Sequence, residues 1–256
     1  MPAKQNIDCK LRGLADKYET TDFIKGDPSW FMHQIDGAEN KELIAFIASS
    51  LSYGSRKQFM KKIQLLLDDI RSFANREQIC SKEIVCQWLV RREFENIIPH
   101  SAESFYRLYS YDTYNQFLEA LASMIEQYGS IKKFLLVEQN IQQEETIHAI
   151  DAIESITRWF RENGSKGVIP QDTRSSCKRV CMFLRWMVRS NSPVDIGIWS
   201  DIIDRKTLII PMDTHVIQEA KRMNLITSTA TSREVLPVVT LFFCFRSSFT
   251  FFCTAL

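Results

Sequence analysis

Apolar residues recur three and four positions apart along most of the chain. Leu43, Ile44, Phe46, Ile47 and Leu51 form one such run, and Ile63, Leu66, Leu67 and Ile70 a second. This is the spacing of helices with one buried face. Between the runs lies the polar stretch 55–62, opened by Tyr53-Gly54-Ser55. Gly54 suits a helix C-terminal cap and Ser55 an N-cap, so the region reads as helix–turn–helix. The same periodicity predicts helices at about 82–91, 103–110, 114–127, 130–137, 143–162 and 175–190. A short one follows near 195–203, and another covers 213–223. The apolar run Leu208-Ile209-Ile210 is the one candidate strand. There is no internal repeat.

Composition sharpens this picture. The chain has 256 residues, 45% of them hydrophobic and 25% charged, enough for a sizeable core without a disulfide or metal staple. Only 8 glycines and 7 prolines punctuate it, which disfavours sandwiches, barrels and glycine-rich nucleotide folds. With 32 Lys+Arg against 31 Asp+Glu, the net charge is +1. A basic arm or acidic tail is thereby excluded as the main device, while a local basic patch is not. Seven cysteines, no CxxC pair and a polar N-terminus point to free thiols in a reducing cytoplasm. Residues 236–256 are anomalous, since six of the 17 phenylalanines fall there with Arg246 as the one charged side chain. Arg246, Ser247 and Ser248 break that segment, so no run approaches the ~20 apolar residues of a membrane span. Frameshift or truncation would produce such a tail, which leaves 1–235 as the organised unit.

Two segments carry candidate chemistry. The first is Ser175-Ser176-Cys177-Lys178-Arg179, followed by an almost wholly apolar stretch to Val188. Ser175 or Ser176 is a suitable cap, and the stretch reads as a buried central helix. Lys178 then sits in its first turn. There the helix dipole and partial burial both disfavour an ammonium, and an amine so placed is suited to nucleophilic attack. The plainer alternative is a capped core helix whose lysine reaches solvent. The second segment is Pro211-Met212-Asp213-Thr214-His215-Val216. Asp213 serves either as an N-cap or as a carboxylate held at the mouth of a cleft. His215 points either into such a site or into the core.

Both segments carry a resemblance. "PMDTHVIQEAKRMNL" is similar to the aspartate segment of the helix-hairpin-helix DNA glycosylase superfamily. "CKRVCMFLRWMVR" resembles the helix that carries the catalytic lysine in its bifunctional members. "LIAFIASSLSYGSRKQ" is similar to an early segment that helps to wedge DNA. More specifically, the chain resembles an uncharacterised bacterial family related to those enzymes. Its marks are Asp27-Pro28 with Trp30-Phe31, Tyr53-Gly54-Ser55-Arg56-Lys57, Phe105-Tyr106-Arg107, Tyr128-Gly129-Ser130, Cys177-Lys178-Arg179 and Asp195-x-Gly197-x-Trp199. The likeness covers roughly residues 20–235. The superfamily's hairpin pattern before the lysine helix is replaced here by a stretch from Gly164 to Arg174.

The resemblance implies an all-α, two-lobed fold with a cleft between the lobes. It implies that Lys178 attacks C1′ of an extruded, damaged nucleoside in double-stranded DNA while Asp213 assists. The two lie 35 positions apart, a long spacing closest to the superfamily's archaeal 8-oxoguanine branch. Arg56, Lys57, Lys166, Arg174, Arg179 and His215 are then the expected DNA contacts. Trp186 and Trp199 are the expected base pocket. No metal or cofactor is expected, because the four-cysteine iron–sulfur motif is missing. Two readings stand beside the enzyme: a nucleic-acid-binding protein of the same fold without chemistry, and a helical protein-interaction module.

Overall fold

The computed structural model describes residues 13, 19–142, 145–211, 218 and 221–222. The described chain is mostly helical. A short helix α1 (Thr21–Ile24) and a 3₁₀ turn (Pro28–His33) lead into α2 (Ala38–Leu51), α3 (Arg56–Glu77) and α4 (Ile84–Val90). A small antiparallel hairpin follows, β1 (Ser104–Tyr106) and β2 (Tyr109–Ser110). It leads directly into α5 (Tyr111–Tyr128), α6 (Ile131–Glu138), α7 (Ala149–Glu162) and α8 (Lys178–Val188). No described helix is long and apolar enough to cross a membrane.

The apolar periodicity becomes a single core. In α2, Leu43 to Leu51 are all buried. Such a helix needs partners on every side, and it packs on the 28–33 turn, α3, α4 and α8. The Phe46 ring is the meeting point. Its centroid lies 5.8 Å from Phe117 of α5, 5.5 Å from Phe160 of α7 and 4.9 Å from Phe183 of α8. Phe183 in turn meets Trp199 edge-on at 5.1 Å, an arrangement that suits the ring quadrupoles. As the sequence predicts, α8 is buried from Val180 to Val188.

The α5–α6 corner shows how local sequence sets the path. Gly129, at φ +81, closes α5 by donating its N–H to the Ile125 carbonyl at 2.8 Å. Ser130 then opens α6, its hydroxyl accepting from Lys133 N–H at 3.0 Å. The two remaining first-turn amides, Ile131 and Lys132, donate to the Glu42 carboxylate at 2.7 and 3.0 Å. A helix start normally leaves such donors unmet, and here a side chain of α2 supplies the acceptor.

Three expectations need correction. Residues 103–110 form the hairpin rather than a helix, because Phe105, Tyr106 and Tyr109 turn their rings onto Tyr53 and Tyr114 and aromatic pairs favour the pleated backbone. The stretch 195–203 is a series of turns pinned to the C-terminus of α8, where Ile196 and Gly197 donate to the Trp186 carbonyl and Trp199 to that of Met187. Leu208-Ile209-Ile210 is not a strand; the nearest ladder is one bridge, Ile147 to Ile203. The predicted helix over 213–223 lies outside the described residues, apart from short pieces.

Candidate functional site

Lys178 is the first residue of α8. It is half-buried, while the helix behind it is sealed in the core. Its N-cap is Cys177 and neither of the expected serines. Cys177 takes a left-handed conformation, φ +44, with no side-chain cap. Ser175 instead accepts from the Cys177 N–H at 3.3 Å, within the turn that leads into the helix. The chain therefore enters α8 through a bend, and the second residue of the helix, Arg179, lies against α2 and the hairpin.

Arg179, the next residue, is largely withdrawn from water. It donates to the Ser50 carbonyl at the end of α2 at 3.0 Å. Its guanidinium lies 5.3 Å from the Tyr53 ring centre and 5.7 Å from that of Tyr109. Burial pushes its pKa down from the ordinary guanidinium value and the nearby Tyr53 hydroxyl partly opposes this. A second guanidinium, Arg107, lies 5.9 Å from the same Tyr53 ring. It comes from the tip of the hairpin, where its φ is +51.

Tyr53 joins these elements. It meets Tyr106 and Tyr109 edge-on, both at 5.1 Å. Its hydroxyl donates to the Tyr106 carbonyl at 3.2 Å and accepts from Leu108 N–H at 3.3 Å, and the Tyr106 hydroxyl donates back to the Tyr53 carbonyl. Partial burial raises the Tyr53 pKa, against the pull of the Leu108 amide and of Arg179 and Arg107. Gly54 follows at φ +77, and Arg107 lies directly against it. A Cβ at that position would stand 2.5 Å from Nη1 and 2.8 Å from Cζ of Arg107. Beside this group, the Lys62 ammonium sits 4.6 Å over Phe105, and burial lowers its pKa.

The site is electrostatically one-sided. Among the described residues, no carboxylate pairs with Arg107, Arg179 or Lys62. Elsewhere the fold supplies partners readily: Arg92 meets Glu119 and Glu126, Arg158 meets Glu138, and Arg185 and Arg189 share Asp195. Uncompensated guanidiniums on aromatic rings suit a planar or tetrahedral oxyanion.

The expected residues divide. Arg56 and Lys57 are exposed on the first turn of α3, next to Gly54. Lys166 is exposed on the loop before α8. Arg174 is exposed and bound to Asp172 at 2.6 Å, which holds that carboxyl below its ordinary range. Trp186 and Trp199 are fully buried, so neither ring offers a face to a base, which corrects the expected base pocket. Trp199 donates to Glu42 at 2.9 Å, and the Trp186 N–H meets no acceptor among the described residues. Asp213 and His215 lie outside the described residues. Among the described residues, no group of three His, Cys, Asp or Glu could hold a metal ion. In the sequence Arg107 stands only as part of the Phe105-Tyr106-Arg107 mark, inside a predicted helix and with no site role, and nothing singles out Glu42.

A family model described as a protein of unknown function (DUF2400) matches residues 27–245. No curated protein and no solved structure matches the chain.

Proposed function

The chain belongs to the DUF2400 family, and from its own residues we propose that it acts on nucleic acid as a base-excision glycosylase with a lyase step. Lys178 is the nucleophile. Its neutral amine attacks C1′ of an extruded nucleoside, the new N–C1′ bond forms as the glycosidic bond breaks, and the base departs with the bonding pair and takes up a proton. The ammonium formed on Lys178 loses a proton, which allows ring opening to a Schiff base and strand cleavage by β-elimination. Asp213 stabilises the developing positive charge on the sugar. Its part rests on the sequence alone, as does an 8-oxoguanine-like lesion. The two-lobed arrangement with a central cleft is likewise part of this proposal.

One observation carries the reading: Lys178 is half-buried at the start of a helix sealed in the core and directly precedes Arg179, one of two guanidiniums against Tyr53 that meet no carboxylate among the described residues. Cationic surroundings attract the phosphates that flank a target nucleotide. Borohydride trapping tests it. Incubation with duplexes carrying 8-oxoguanine, uracil or an abasic site should yield a covalent complex that Lys178→Ala abolishes. Absence of a trapped species across that panel rejects the chemistry.

The core burial of both tryptophans favours a second reading, in which the same surface binds nucleic acid without excising a base. It expects salt-dependent binding that Lys178→Gln leaves nearly intact, and no trapped complex.

A further inference from the structure

We propose that Arg107 and Arg179, both seated against Tyr53, form a clamp for a nucleic-acid phosphodiester, with Arg107 delivered by the 104–110 hairpin. This rests on the nucleic-acid part of the proposed function and not on its chemistry. The two guanidiniums come from elements far apart in the chain yet share one ring, at 5.9 and 5.3 Å. Like charges brought together repel. The fold neutralises its other buried arginines with carboxylates, as at Arg185, Arg189 and Asp195. At Tyr53 no described carboxylate does so, and the missing charge matches an anion from outside.

The geometry also shows how the clamp is held. Arg179 is fixed by the Ser50 carbonyl and two tyrosine rings. Arg107 is exposed, rests on the bare backbone of Gly54, and stands next to Leu108, which is 87% exposed. One guanidinium is thus a rigid floor and the other is open to solvent. Arg56 and Lys57 continue the positive surface along the first turn of α3. A phosphodiester backbone fits this better than a lone carboxylate, because the positive charge continues past the two guanidiniums to Arg56 and Lys57, which matches a chain of repeated anions.

The test is duplex binding by fluorescence anisotropy over a range of salt concentrations. A labelled, lesion-free duplex separates binding from excision. Arg107→Ala should weaken binding several-fold at low salt and reduce the slope of log K against log salt by about 0.9, the loss of one phosphate contact. Gly54→Ala, which displaces Arg107, should do the same. Arg76→Ala removes an equal charge from an arginine already paired with Glu93 and should leave the slope unchanged. Equal slopes for wild type and Arg107→Ala overturn the clamp, as does an equal loss in Arg76→Ala. Inorganic phosphate at constant ionic strength should not displace the duplex. Displacement from wild type but not from Arg107→Ala identifies a site for free phosphate and overturns the backbone assignment. Failure of the chemistry alone looks different: the slope change persists and borohydride traps nothing.

Discussion

Glu42 and Trp199, separated by 157 positions, are joined by an indole N–H donated to the Glu42 carboxylate at 2.9 Å. The same carboxylate receives Ile131 and Lys132 N–H, so one buried side chain ties α2 to the start of α6 and to the turns after α8. Burial drives its pKa from 4.5 up to about 7, against the pull of those three donors. The folded state therefore holds a proton that the unfolded chain releases at lower pH. Stability from this group is complete below the unfolded pKa and falls as pH rises through the folded one. The loss amounts to about 3 kcal/mol between pH 4.5 and 7. Urea denaturation across that window should show the decline. Glu42→Gln should flatten it while costing about 1–3 kcal/mol, because its amide meets an N–H donor.

Asp195 lies between two buried guanidiniums, 3.2 Å from Arg185 and 3.2 Å from Arg189. Arg189 also reaches Glu19 at 2.5 Å. Asp195→Ala leaves two buried cations without their shared carboxylate and should cost about 3–5 kcal/mol. Chemical denaturation measures this directly. A loss under about 1 kcal/mol would mean that other partners, Glu19 for Arg189 among them, hold the guanidiniums without Asp195.

Two of the buried tryptophans, Trp186 and Trp199, should respond differently to phenylalanine. Trp199→Phe removes the hydrogen bond to Glu42 and, below pH 7 where that carboxyl is protonated, should cost about 0.5–1.5 kcal/mol beyond the lost volume. Trp186→Phe removes an N–H with no acceptor among the described residues, so relief of that burden offsets part of the cavity. The prediction is a clearly smaller loss of thermal stability for Trp186→Phe.

Helices were legible where apolar residues repeat over several turns. The burial of α8 follows from its composition, and Lys178 at its start follows from where the apolar stretch begins. Residues 103–110 were not legible, because a run as short as Phe105 to Tyr109 fits either period, and what decides it is contact with Tyr53 and Tyr114. The cap of α8 was misplaced for a related reason. Serine is the better capping residue, yet the bend sits at Cys177. The site was half visible. Arg179 stood in a recognisable motif, but the closeness of Arg107 to Gly54 is a tertiary fact that no local pattern encodes.

Phe46→Ala should cost about 3–5 kcal/mol, the range for deleting a buried phenylalanine. Because its ring touches α5, α7 and α8 together, the loss should be accompanied by faster hydrogen exchange in all three helices. Exchange confined to α2 would mean that the others hold together without it.

That junction also sets the order in which the molecule can assemble. Its last ring, Phe183, follows Phe46 by well over a hundred residues, so on a ribosome α2 emerges long before the helix that seals it. Contacts this distant are slow to form. Until then α2 needs a temporary cover, and a nascent chain arrested before α8 is the species on which chaperone dependence would concentrate.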